Sequence, residues 1–273
     1  MQYDGQVGRE EPDQIGWVVG QSPLAISEDL TVLLAKQHDC KLQRRESAMV
    51  VGHFAIGMAM KAAKPDLPAW PIMIGVGFID ILFGFFMVLG IDRVTANLGA
   101  GPYLFFDLTY IDWDHSLLMA IVWSLVWGAL FWKNRTVAIF AAAAAFSHFL
   151  ADWPLHQPDL ALYPNSIVHF GAGLWAKLGI TSWVLEGIFT AVLAAFVWRA
   201  NARRGVSSLW SILLLLTLFL IVSPWLSPMY FAATLQESAQ TWTAAALIIG
   251  TFLGTGIQFA WLIDRAEQQA VPA

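Results

Sequence analysis

Residues 141–164 read AAAAAFSHFLADWPLHQPDLALYP. Five alanines open the stretch in the manner of a membrane-spanning helix, yet it closes with His148, Asp152 and His156 at intervals of four. Ionisable groups are costly inside a bilayer and persist where something binds them or where they carry function. Residues four apart share a helix face, so His148 and Asp152 can reach one cation together. Pro154 ends or bends the helix and can turn His156 back toward the same point. The stretch sets two expectations: a helix in a membrane, and a metal ion at its end.

Composition agrees with the first. Of 273 residues, 58% are hydrophobic and 13% charged, against about 25% charged in ordinary soluble proteins. Mean hydropathy is +0.59. These values exclude an ordinary soluble domain and a disordered chain. The 14 Trp and 18 Phe fall largely at the ends of apolar runs, where aromatic belts sit. The net charge of −5 gives no reason to expect nucleic acid, and the expected surroundings are membrane lipid. The single cysteine, Cys40, excludes an intramolecular disulfide and a Cys-rich zinc site. Any metal is therefore held by histidines and carboxylates.

The chain divides at residue 49. Residues 1–48 are polar and lack the basic start and long apolar core of a signal peptide. They read either as a soluble extension with a short amphipathic helix over 26–36, or as residues preceding a true start at Met49. Apolar segments then run over about 49–63, 69–91, 115–132, 136–153, 181–199, 208–230 and 242–264. Most approach the roughly 20 residues of a helical span, so the expected fold is an all-α polytopic bundle of about seven spans. Residues 49–199 form a metal-site core, and 200–273 add two further transmembrane helices and a short tail. Residues 165–180 are too broken by glycine to span, and Pro224 and Pro228 should end or kink the sixth segment. Gly52, Gly75 and Gly77 suit close helix approach.

Loop charge orients the bundle. From residue 49 on, Lys61, Lys64, Lys133, Arg135, Arg199, Arg203, Arg204 and Arg265 fall in one set of loops and Arg93 and Lys177 in the other. Basic loops face the cytoplasm, which puts the C-terminus inside. The cluster Lys41, Arg44 and Arg45 then lies on the wrong side, a conflict that a start at Met49 removes. His53, His115, His148, Asp152, His156, His169 and Glu186 then lie at the outer ends of their segments, with Asp80 about midway through the second. Helices remote in sequence thus deliver ligand-type side chains to one leaflet. Imidazole and carboxylate suit Zn, Mn or Fe. A metal with an open position lowers the pKa of bound water to about 7 and can supply hydroxide. Nearby carboxylates can orient imidazoles or act as bases.

Each residue also has a plainer reading. His156 and His169 could be interfacial, and Asp107 and Asp112 solvated loop acids. Asp114 could cap the third helix, and Glu186 could pair with Lys177.

Four motifs carry a resemblance. Gly52-His53, Ile79-Asp80, Asp114-His115-Ser116-Leu117-Leu118 and Ser147-His148-x-x-x-Asp152, in that order, resemble the bacterial inner-membrane proteins labelled membrane-bound metal-dependent hydrolases. That family is similar to zinc-dependent phospholipases C. A closer likeness is to multi-span members with a tract like His156-Gln157-Pro158-Asp159 and Tyr163-Pro164. The likeness covers about residues 49–165. It implies metal roles for His53, Asp80, His115, His148 and Asp152. The second motif here is FIDIL, without the family's extra Asp and His, and Asp114 stands where Ser or Thr is usual, which favours one metal.

The expected function is a metal-dependent hydrolase of an ester or phosphoester, of a lipid or a small molecule, at the outer leaflet of a bacterial inner membrane. Asp114, His156 or Glu186 would act as general acid or base. A proton- or metal-ion path and a structural bundle without catalysis are the alternatives. Against a path, the last two segments carry no ionisable residue except Asp264 near their end.

Overall fold

The computed structural model describes residues 49–270. The expected extension 1–48, with its short helix over 26–36 and Cys40, lies outside the described residues. Helix α1 (Val51–Ala63) is buried on more than one face, through His53, Phe54, Ala55, Met58 and Ala62. A helix apolar all round belongs in the interior, and α1 packs between α6 (Arg135–Asp152) and α8 (Ile180–Ala202).

Helices α2 (Ala69–Gly75) and α3 (Phe78–Val88) are two halves of one apolar run, bent by 52° at their junction. The turn tightens there, with the Gly77 N–H bonded to Ile74 O at 3.1 Å, and the Val76 carbonyl is presented to α6. The glycines at the bend serve close approach. A Cβ on Gly75 would lie 2.8 Å from Trp127 Nε1, and one on Gly77 would lie 2.7 Å from Phe252 Cδ1. Gly77→Ala is therefore expected to cost about 1–3 kcal/mol as overpacking, measured as a lower thermal midpoint in detergent.

A β-hairpin follows, β1 (Arg93–Ala96) with β2 (Phe106–Tyr110), pairing Val94 with Leu108 and Ala96 with Phe106. Next come α4 (Asp112–His115) and α5 (Leu117–Ala129), which packs along α6. The Ser116 hydroxyl accepts from Met119 N–H and caps α5, while the Asn134 side chain accepts from Val137 N–H and caps α6. The Trp127 indole donates to Pro71 O at 2.9 Å and ties α5 to α2. After α6 the chain forms a two-residue ladder, β3 (Leu160–Ala161) with β4 (His169–Phe170), and then α7 (Leu174–Leu178). As expected, residues 165–180 do not make a long helix.

Helix α9 (Leu209–Ile221) ends before Pro224, and α10 (Pro228–Thr234) begins on Pro228 at its first turn. Helix α11 (Glu237–Ile249), a π-helical turn over Gly250–Gly254 and α12 (Thr255–Ala270) then run on as one helical rod.

The expectation of about seven spans is corrected. Among the described residues, two helices are long and apolar enough to cross a membrane, Ile180–Ala202 and Glu237–Ala270, or three if α2 and α3 count as one bent span. Segments 115–132 and 208–230 yield 13-residue helices, short of the roughly 20 residues a span needs. Hydropathy reads a continuous run where the chain is interrupted, at the polar turn before α5 and at the 222–227 break, with Pro224 inside it and Pro228 at its far edge.

Candidate metal centre

Six ligand-type side chains meet at the N-terminal end of α1. His53 comes from α1, Asp80 from the first turn of α3, His115 from the end of α4, and His148 and Asp152 from the last turns of α6. His156 follows Pro154, and its N–H still bonds Asp152 O at 2.9 Å, so the turn carries the ring back over the end of α6. All six are 3% exposed or less.

Asp152 is the hub. Its Oδ1 lies 3.2 Å from His53 Nε2, and its Oδ2 lies 3.0 Å from His148 Nε2 and 3.8 Å from His156 Nε2. Asp80 bridges the other side, with Oδ1 3.5 Å from His115 Nε2 and Oδ2 3.6 Å from His148 Nε2. Three overlapping sets have ligand atoms close enough for one ion: His53, His148 and Asp152; Asp80, His115 and His148; His115, Asp152 and His156. The expected ligands His53, Asp80, His115, His148 and Asp152 are thus brought together, and His156 joins them.

The outer nitrogens of three rings face oxygen atoms. His148 Nδ1 lies 2.9 Å from the Val76 carbonyl, which the α2–α3 bend supplies. His115 Nδ1 lies 3.0 Å from Asp114 Oδ1, and His156 Nδ1 3.3 Å from Asp159 Oδ1. At His148 and His156 the acceptor fixes the proton on Nδ1 and leaves Nε2 with a free lone pair facing the centre, whereas His115 Nδ1 sits beside the Asp114 carboxylate without a hydrogen bond. The His53 and His148 rings stack at 4.0 Å and 14°, and Phe252 of the π turn packs beside both, at 6.3 and 6.2 Å. π turns are frequent at functional sites.

This donor set fits a cation. His53 Nε2, His148 Nε2, His156 Nε2, Asp80 Oδ2 and Asp152 Oδ2 are buried and make no hydrogen bond. Each such atom costs about 1–3 kcal/mol when left unmatched, and native folds carry few. One ion or more at the centre would engage them without protons. The buried clusters can hold a metal ion.

The two other candidate catalytic residues stand behind the cluster. Asp114 faces His115 Nδ1 and does not cap α5, a task taken by Ser116. Glu186 lies on α8, fully engaged: Oε1 accepts from the N–H groups of Val50, Val51 and Gly52 at 3.0, 2.8 and 3.1 Å, and Oε2 accepts from the Tyr103 hydroxyl at 2.7 Å. It anchors the start of α1 from another helix, where unpaired N–H groups and the helix dipole favour a carboxylate. Beside it, Met49 N–H donates to Asp152 Oδ1 at 2.9 Å. Lys177, its other suggested partner, donates to Ala172 O instead.

One other expectation is corrected. Asp112 is not a solvated loop acid: it is 5% exposed and its Oδ2 accepts from Asn165 N–H at 2.8 Å. Asp107 accepts from the Asn97 amide, and His169 is exposed in β4.

Sequence reasoning missed Asp92, Tyr103, Phe252 and the role of Asp159. Asp92 is 2% exposed. Burial, and next the adjacent Asp114 carboxylate, push its carboxyl up to about 9. Asp92 thus stands behind Asp114, which in turn faces His115. Removing such an outer partner typically costs tenfold to a hundredfold in metal affinity. Asp114→Ala is therefore expected to weaken metal binding by about that factor while the fold persists, checked by titration against a chelating indicator.

No family model matches the chain, and no curated protein or solved structure matches it either.

Proposed function

We propose that this membrane protein is a metal-dependent hydrolase acting on an ester or phosphoester at the non-cytoplasmic face of a bacterial inner membrane. The observation that carries the reading is the convergence of buried imidazole and carboxylate atoms that find no hydrogen bond. The charge asymmetry of the loops supports the orientation, with the C-terminus in the cytoplasm. Along α1 the polarity agrees: His53 stands at one end, and Lys61 at the other, bound to Glu267 at 2.6 Å with Arg204 nearby.

His53, Asp80, His115, His148 and Asp152 hold the ion, with zinc favoured and manganese or iron the alternatives. A bound divalent cation supplies a water activated near neutral pH and polarises a carbonyl or phosphoryl oxygen. His156, backed by Asp159, stands at the edge of the cluster and handles the proton. As the water oxygen joins carbon or phosphorus, His156 Nε2 takes its proton. The bond to the leaving oxygen breaks, and His156 returns the proton to that oxygen. Asp114 orients His115, and Glu186 holds α1 so that His53 is aimed. The stacked rings and Phe252 keep bulk water from one side.

Elemental analysis of detergent-purified protein, paired with hydrolysis of p-nitrophenyl esters and bis-p-nitrophenyl phosphate, tests the reading. Bound metal and a chelator-sensitive activity restored by metal are expected. Stoichiometric metal in His148→Ala would sink the ligand assignment. Fully loaded protein inert toward both substrates, but passing metal or protons into liposomes, would favour transport instead.

A further inference from the structure

A cavity of about 50 Å³ opens beside the cluster, between α3, the hairpin region, α10 and α11. Asp80 and His115 of the cluster border it, and Phe83, Leu104, Met229 and Leu247 are among the hydrocarbon walls. Ser227 also borders it, but its hydroxyl donates to Tyr103 O and is spent on the backbone. The free polarity is at the metal end, where Asp80 Oδ2 is buried with no hydrogen bond. A ligand here meets the candidate metal ligands at its head and mostly apolar side chains elsewhere, with Tyr103, Ser227 and Thr251 the polar exceptions.

We propose that this slot takes a short hydrocarbon chain, about three to five carbon atoms at roughly 10–15 Å³ per water-sized sphere, joined directly to the group that the cluster binds. The chain is the acyl part of a carboxylic ester or the alkyl part of a phosphoester, and its length is read by the apolar walls, Met229 and Leu247 among them. The inference rests on the metal-centre reading above and deepens it by naming the part of the substrate next to the reacting bond. Apolar pockets with a few placed polar groups are the usual form of small-molecule sites.

The test uses the full chain in detergent, loaded with cobalt for its visible absorption. Straight-chain alkyl hydroxamates from two to ten carbons are titrated, with alkyl phosphonates of equal length in parallel. Affinity is expected to rise about fourfold per methylene up to about five carbons and then level off. The head group with the steeper rise separates an acyl from a phosphoryl substrate. Met229→Trp and Leu247→Trp, made separately in case one fails to fold, should flatten the series while acetohydroxamate still binds. Cobalt bound with affinity indifferent to chain length overturns the slot and leaves the metal centre standing. A rise that persists in both tryptophan variants belongs to detergent partition and also overturns it. Protein that holds no cobalt overturns the metal centre, and the slot with it.

Discussion

Asp152→Asn is expected to lose the metal. Its two oxygens face His53, His148 and His156, and one of them also accepts from Met49 N–H. The amide keeps the volume but removes the negative charge and turns an N–H toward at least one imidazole. The loss in affinity should exceed the roughly hundredfold upper figure for removing an outer partner, so metal per chain after gel filtration should fall below about a tenth of wild type. A bound ligand raises stability by mass action, so a chelator should lower the thermal midpoint of wild type and leave Asp152→Asn unmoved. If chelator changes neither protein while the variant melts earlier, the cluster only locks helices together. Full metal content in the variant would remove Asp152 from the ligand set.

Glu186→Leu is expected to unfold the start of α1. Three backbone N–H groups and the Tyr103 hydroxyl would lose one shared acceptor in a site 3% exposed. At roughly 1–3 kcal/mol for each buried donor left unmatched, a loss on the order of 4 kcal/mol or more follows, a large share of the 5–15 kcal/mol that usually holds a domain together. Glu186→Gln keeps an acceptor oxygen for the N–H groups and should cost only about 1–2 kcal/mol. The pair separates an anchor from a base. An anchor predicts that Gln retains metal and most activity. A folded, metal-loaded Gln variant without hydrolysis would return Glu186 to the general-base role that its place among outer polar groups first suggested. Denaturation in detergent and metal titration read both outcomes.

The contrast between these two acids marks what the sequence carries. His148 and Asp152 were legible because a four-residue interval is local and the helix period turns it directly into a shared face. Pro154 made the return of His156 legible for the same reason. Asp80, His53 and His115 were reachable from their common leaflet and from motif resemblance. Glu186 was visible as a buried acid, but its partners are backbone N–H groups on a helix 134 residues or more away, and the backbone leaves no letter in the sequence. Asp92 and Tyr103 sit in the irregular segments around the hairpin, where no periodicity shows which side chains turn inward. Asp112 was misjudged because loop acids are usually solvated, whereas the turn at Asn165 folds back on it. The span count failed for a related reason: an apolar run records what a segment prefers to touch and nothing of where it bends.

The bend between α2 and α3 has a mechanical side. It supplies the Val76 carbonyl that faces His148, so the posture of one inward ring depends on the angle between the two halves of a bent apolar run. Lipids thick enough to pull the two halves into line would withdraw that acceptor and loosen the ring. Cation retention in nanodiscs of increasing acyl length would then fall with thickness, making the centre a gauge of its own membrane; constant retention across the series would mean that the kink is rigid.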